Sequence, residues 1–203
     1  KGQPKAPKKT LAFGVIIKQP VFIFLTLLTF GYGAVEFGNA NWFVSYAQNG
    51  LGFTGEQSRN LLAFFTAGMV ISRLTFPFLL RFVSVHRMIV IMATASLAGV
   101  FALKLMPSFY GIGAGNLMLG LGLGGLFPLA LSAAMNIDSD NGPVLSGISI
   151  IGNSTGVQVA SFSTGLWANF VPLTTAFWVI PLGGCVLWLA SYGYSRKIKY
   201  HRS

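Results

Sequence analysis

The chain has 203 residues, of which 53% are hydrophobic and 9% are charged, and its formal net charge is +10. So apolar a composition excludes a water-soluble domain of this size and predicts an integral membrane protein. The single cysteine, Cys185, excludes a disulfide within the chain and any metal cluster built on several thiolates.

Six apolar windows follow one another along the chain. A helix rises about 1.5 Å per residue, so about twenty residues cross the roughly 30 Å of hydrocarbon in a bilayer. The windows lack the apolar/polar alternation of a membrane β-barrel, and they are too long for barrel strands. We therefore predict an all-α membrane protein with six transmembrane helices, near residues 20–47, 57–82, 87–106, 109–136, 143–168 and 172–195.

The basic residues lie mostly at the chain ends and in one loop, which fits a membrane topology better than a nucleic-acid-binding face. With six spans, eleven of the fourteen basic residues fall on one side, whereas Arg59 and Lys104 fall on the other. Since cytoplasmic loops carry the excess of Lys and Arg, both termini are predicted to be cytoplasmic. The eleven are Lys1, Lys5, Lys8, Lys9, Lys18, Arg81, Arg87, Arg196, Lys197, Lys199 and Arg202.

This topology divides the chain into three parts. Residues 1–18, which open with KGQPKAPKKT, are predicted to form a basic cytoplasmic linker. Residues 19–195 form the six-helix transmembrane domain, and residues 196–203 form a basic cytoplasmic tail. The protein is expected to be multi-pass, in a plasma or inner membrane, with the lipid bilayer as a partner and without nucleic acid.

Glu36 is the most informative residue of the first span. It lies about sixteen residues into the span, or roughly 24 Å by helical rise, slightly beyond the midplane. An acid at this depth is costly and should face a cavity or a partner. Tyr32, Asn39, Phe43 and Tyr46 share its helix face. This stripe predicts a cavity wall for a polar organic ligand; the alternative is that Glu36 is protonated or hydrogen-bonded and stabilises helix packing.

Further polar residues at depth are Asn116 in the fourth span and Asn153 and Gln158 in the fifth. Arg73 is expected to reach toward the membrane surface or to pair with backbone carbonyl groups. Asp138 and Asp140 precede the fifth span, where acids can cap a helix. The candidate substrate-binding residues are Glu36, Asn39, Tyr32, Phe43, Asn153, Gln158 and Asn116; the candidate structural or gating residues are Arg73, Arg81, Arg87 and Asp138.

The sequence gives little support for an enzymatic function. A hydrolase in the membrane needs a nucleophile with a base, or a metal with its ligands. The two histidines, His86 and His201, lie in a loop and in the tail, so none can activate a serine within a span. We expect no catalytic residues, no metal and no cofactor.

Three stretches resemble the C-terminal half of a major facilitator superfamily transporter. RLTFPFLLRFVSVHRMI (73–89) resembles that family's second-half loop motif, in which a helix ends in a short basic turn. GLGLGGLFPLALS (120–132) resembles its tenth helix, and GNSTGVQVASFSTG (152–165) its glycine-rich eleventh. YGAVEFGNANWFVSYA (32–47) is most similar to the fucose and hexose proton-symporter branch. The chain departs from the family pattern in having Ser72 before Arg73 and no arginine after Asp140.

The resemblance implies a half-bundle that works with a complementary N-terminal six-helix half, on the same or a separate polypeptide. The two halves would carry a small polar solute, sugar-like or another organic compound, by proton-coupled alternating access around a midplane site. The alternative function is a non-transporting, transporter-like subunit that acts as a scaffold or assembly factor. In that case Glu36 would contact protein, lipid or a bound pigment rather than a water-filled cavity.

Overall fold

The computed structural model describes residues 13–200, without the side chains of Phe13, Ile16, Lys199 and Tyr200. This part of the chain is helical and contains no β-strand. Most of the predicted linker and the last three residues of the predicted tail lie outside the described residues. The helices are α1 (Phe13–Ile16), α2 (Pro20–Ser45), α3 (Gly55–Leu79), α4 (Val85–Leu105), α5 (Phe109–Leu123), α6 (Leu126–Met135), α7 (Gly142–Ala168), α8 (Leu173–Ala176) and α9 (Val179–Tyr200).

Five segments of the described chain are long and apolar enough to cross a membrane, which supports a multi-pass membrane protein. The sixth predicted span corresponds to α7, which has 27 residues but is richer in Ser, Thr, Asn and Gln than the others and does not reach the same hydropathy. Six spans therefore stay a prediction. The five segments are Pro20–Gly50, Gly55–Leu79, Val85–Leu105, Phe109–Met135 and Leu173–Ile198.

Two of the predicted spans are interrupted. The fourth window is divided at Gly124 and Gly125 into α5 and α6, and the last window is divided into α8 and α9. In addition, α2 ends in a single π-helical turn, Tyr46–Gly50. Such interruptions free backbone groups from the helical hydrogen-bond pattern, so other groups must satisfy them.

The helices pack in a continuous order. α2 lies between α7 and α9, α4 lies between α9 and α5, and α3 packs along α5. Small residues allow the closest approach, as expected for helices in lipid. Gly156 is buried on α7, where an added Cβ would overlap the carbonyl oxygen of Phe30 on α2. Small residues recur every four positions on α7, at Gly152, Gly156, Ala160 and Thr164, and the two glycines among them lie against α2.

The described chain enters and leaves at the same end of the bundle. Val21 near the start of α2 and Ile198 near the end of α9 line one cavity together with Val85 and Asn136. At the opposite end, the hydroxyl of Tyr46 donates to the carbonyl oxygen of Leu103 over 3.0 Å. The exposed basic residues Lys18, Arg81, Arg87, Arg196 and Lys197 therefore lie toward the first end, as the charge distribution predicts.

Asp138 does not cap the N-terminus of α7, although its position in the sequence suggested this role. Its Oδ1 accepts a hydrogen bond from the backbone N–H of Asp140, and its Oδ2 accepts one from Nδ2 of Asn141, both over 3.1 Å. Asn141 is the N-cap residue of α7, and its side chain makes no capping hydrogen bond. Asp138 therefore orders the turn before the helix and does not bind the first free N–H groups of α7.

Candidate functional site

The centre of the candidate site is a polar cluster on α2 and α3, formed by Tyr32, Glu36 and Arg73. Tyr32 and Glu36 are one helical turn apart and so lie on the same face of α2. The Tyr32 hydroxyl lies near the Glu36 carboxylate and the Arg73 guanidinium, close enough for the three polar groups to influence one another electrostatically. Glu36 and Arg73 also attract each other by charge. Tyr32 thus lies near both the acidic residue of α2, Glu36, and the basic residue of α3, Arg73.

Arg73 also reaches the interruption between α5 and α6. Its Nε donates a 3.2 Å hydrogen bond to the carbonyl oxygen of Gly124, the residue after α5. The expectation that Arg73 pairs with a backbone carbonyl is confirmed. Its closeness to Glu36 was missed by sequence reasoning, although a buried acid and a basic residue deep in neighbouring spans are a signal that could have suggested it.

Glycine makes this close arrangement possible. A Cβ at Gly124 would lie 2.6 Å from the Cβ of Ser72, and a Cβ at Gly125 would lie 2.5 Å from Cδ1 of Phe76. Both contacts are with α3, so α3 packs directly against the interruption. Bulkier residues at these two positions would move Arg73 away from the carbonyl it binds.

An aromatic residue closes one side of the cluster. The ring of Phe127 on α6 stacks on the ring of Tyr32, with centroids 5.3 Å apart and planes inclined by 29°. Tyr32 is only 3% exposed, whereas Glu36 is half-buried and Arg73 is exposed. The cluster is therefore shielded on the Tyr32 side and open on the side of the two charged groups.

Two of the other predicted site residues meet in the interior. Nδ2 of Asn39 donates a 3.1 Å hydrogen bond to Oδ1 of Asn116. Both side chains are fully buried, and Asn39 Oδ1 and Asn116 Nδ2 have no second hydrogen-bond partner. Phe43 is also fully buried and packs at 6.4 Å, centroid to centroid, against Tyr46. Most of the predicted stripe on α2 thus faces the bundle interior, with Glu36 at its edge.

The remaining candidates lie apart from one another. Asn153 on α7 contacts Gly33, where an added Cβ would be 2.7 Å from Oδ1 of Asn153, and this buried oxygen has no hydrogen-bond partner. Asn153 therefore packs against α2 at Gly33, and neighbouring positions of a helix such as Tyr32 and Gly33 point in different directions. Gln158, Arg81 and Arg87 are exposed. The structure brings Tyr32, Glu36 and Arg73 together, and separately Asn39 and Asn116.

The arrangement can hold a proton or a polar ligand, and it offers no metal site. Within residues 13–200, no group of three or more His, Cys, Asp or Glu side chains is placed to bind a metal ion. Glu36 can accept or release a proton, Tyr32 and Arg73 can donate hydrogen bonds, and Asn153 has an unused acceptor. These groups suit a ligand that carries hydroxyl or similar polar groups.

Comparison of the chain with protein-family models, with curated proteins and with solved structures found no match. The function must therefore be argued from the site itself.

Proposed function

We propose that the chain is one half of a membrane transporter for a small polar solute, and that it works by proton-coupled alternating access with a second six-helix half. The observation that carries this proposal is the Tyr32–Glu36–Arg73 cluster, which lies about 18 to 24 Å along α2 by helical rise. Ionisable residues at such a depth are expensive and mark pathways for substrates or ions. The interrupted α5–α6 segment beside them is a common feature of transporter binding sites.

The site residues take distinct roles in this proposal. Glu36 binds a substrate hydroxyl or a cation, or carries the coupling proton. Tyr32 and Arg73 hold its carboxylate in place when it is charged, which lowers the cost of an unpaired acid in the membrane. Asn153, whose Oδ1 is unpartnered, orients the substrate from α7.

The remaining features of the half-bundle belong to the same proposal. α7 has 27 residues, so it is long enough to serve as the sixth span. Its polar side chains would face the solute pathway rather than lipid, while its small residues pack on α2. With six spans and the basic residues toward one end, both termini would be cytoplasmic.

The proposal requires a second wall for the cavity. Glu36 is half-buried and Arg73 is exposed, so this chain covers only part of the cluster. In alternating-access transporters the binding site lies between two repeats that rock against each other. The complementary half would come from the same polypeptide, a separate chain or a second copy.

The experiment that tests the proposal is uptake of candidate solutes into proteoliposomes that contain the native transporter. Glu36→Gln keeps the size and hydrogen-bonding capacity of the side chain but removes its charge, so we expect proton-driven uptake to be lost while the protein remains folded. Glu56→Gln is the matched control, because Glu56 is an exposed acid in the first turn of α3. The proposal would be contradicted if uptake by the Glu36 variant depended on pH in the same way as uptake by the unaltered protein.

The mass of the native complex decides between transport and the scaffold alternative. A mass near twice the 21.7 kDa of this chain, or a copurifying six-span half, supports transport. A chain of 21.7 kDa in an assembly without a complementary half would overturn the transport proposal. It would favour the scaffold role, in which Glu36 is a contact residue.

A further inference from the structure

A second polar site lies at the end of the bundle where the described chain enters and leaves. A cavity of about 380 Å³ is formed there by the start of α2, the start of α4, the end of α6 and the end of α9. Val21, Val85 and Ile198 make one part of its lining apolar, whereas Ser84 and Ser132 provide hydroxyl groups. Nδ2 of the lining residue Asn136 donates a 2.8 Å hydrogen bond to the carbonyl oxygen of Ser132. The lining is thus amphipathic, and the Tyr32–Glu36–Arg73 cluster is not part of it.

The surroundings of this cavity are basic. Arg87 follows the lining residue His86 in the chain, and Arg196 and Lys197 lie between the lining residues Tyr194 and Ile198. All three cations are exposed. Arg87 and Lys197 each adjoin a lining residue in the chain, whereas the Arg196 guanidinium lies over the ring of Tyr192, 5.0 Å from its centroid. Arg87 and Lys197 therefore give the mouth of the cavity its positive charge.

Two acids, Asp138 and Asp140, lie near one side of this cavity. Asp138 follows the lining residue Ile137, but its two carboxylate oxygens accept hydrogen bonds from the Asp140 N–H and from Asn141 Nδ2. Asp140 is exposed in the same turn. Both acids lie in the turn that follows α6, whereas Arg87 lies on α4 and Lys197 on α9, so the positive charge is on the α4 and α9 side of the cavity.

We propose that this cavity binds a phosphate-bearing anion. Phosphate oxygens accept hydrogen bonds from hydroxyl and amide donors and are held most strongly by arginine and lysine. Basic pockets between transmembrane helices at a membrane surface bind anionic headgroups in this way. The apolar part of the lining would hold the remainder of the molecule. The phosphate comes either from an acidic phospholipid or from a soluble phosphate compound, and the site is independent of the proposed transport.

Native mass spectrometry of the full-length chain in detergent tests this proposal. The probes are dioctanoyl-phosphatidylglycerol, dioctanoylglycerol with the same chains but no phosphate, and inorganic phosphate. We expect phosphatidylglycerol to bind and dioctanoylglycerol not to bind. If inorganic phosphate fails to compete, the source is a lipid headgroup; if it competes at comparable concentration, the source is a soluble phosphate. Equal binding of the two lipids, or binding of none of the three probes, overturns the proposal.

Variants locate the bound phosphate. Arg87→Gln removes a cation at the mouth, and Ser132→Phe fills the cavity; each should weaken phosphatidylglycerol binding at least about tenfold. Lys197→Gln is a second charge variant should Arg87→Gln fail to fold. Arg59→Gln is the control, because Arg59 is exposed near the start of α3 at the opposite end. An equal loss of binding in the Arg59 variant would also overturn the proposal, since it would indicate attraction to net charge alone.

Discussion

Asn39 and Asn116 join α2 to α5 by a side-chain hydrogen bond of 3.1 Å between residues 77 positions apart in the chain. Neither side chain has exposed surface, and each retains one polar atom without a partner. A buried amide that loses its partner pays the full cost of desolvation. The effects of substitutions at these two positions should therefore not be additive.

Replacing one member of the pair tests this relationship. Asn39→Leu or Asn116→Leu should lower the free energy of unfolding by about 1 to 3 kcal/mol, because the remaining amide is left unpaired. The double variant should be less destabilised than the sum of the two. Equilibrium unfolding in detergent measures all three. Asn41→Leu is the control, since its hydrogen bond to Ser161 is exposed; strictly additive losses would contradict a coupled pair.

The α7–α2 contact predicts opposite effects at two glycines of the same helix. A Cβ at Gly156 would overlap the Phe30 carbonyl, whereas a Cβ at Gly147 would meet open space. Gly156→Ala should therefore lower the free energy of unfolding by about 1 to 3 kcal/mol. Gly147→Ala should leave it unchanged or raise it by up to about 1 kcal/mol, because alanine favours a helix. Thermal unfolding of both variants checks this, and equal effects would show that the helices are not in close contact.

Arg73 should stabilise the interruption between α5 and α6. Arg73→Gln removes the bond to the Gly124 carbonyl and the charge beside Glu36, so the free energy of unfolding should fall by about 1 to 3 kcal/mol. Adding Glu36→Gln should recover part of this loss, since the uncompensated acid is removed. Chemical denaturation of the single and double variants measures the recovery. The control is Arg81→Gln, an exposed residue whose loss should cost less than about 0.5 kcal/mol; a double variant weaker than Arg73→Gln would refute the pairing.

Lys104 should stabilise the opposite end of the bundle. Its Nζ donates to the Thr174 carbonyl and lies 5.1 Å from the ring centroid of Tyr46 and 5.2 Å from that of Trp178. Lys104→Met keeps most of the side-chain volume but removes the charge, so we expect a loss of about 1 to 2 kcal/mol in the free energy of unfolding. Equilibrium unfolding in detergent, followed by tryptophan fluorescence, measures the midpoint. An unchanged midpoint would mean that the aromatic contacts add nothing to stability.

Local properties of the chain could be predicted well from sequence. The apolar windows and their lengths predict long helices because hydropathy and helical rise depend only on neighbouring residues. In the same way, the repeat of small residues on α7 predicts a close contact, and Glu36 stands out because an acid in an apolar run is costly wherever the helix packs.

The partners of those residues were decided by the tertiary structure. In helices that are apolar on most sides, the sequence pattern does not show which face is inside. The residues of the stripe on α2 could therefore be identified from the sequence, but their contact partners on other helices could not. The contact of Arg73 with Tyr32, Glu36 and Gly124 depends on the rotation and crossing of α2, α3 and α5, which are set by packing of glycines far apart in the chain. The sequence by itself therefore determined which polar groups lie within apolar helical segments, and only the folded bundle decided which of them are buried and which of them meet.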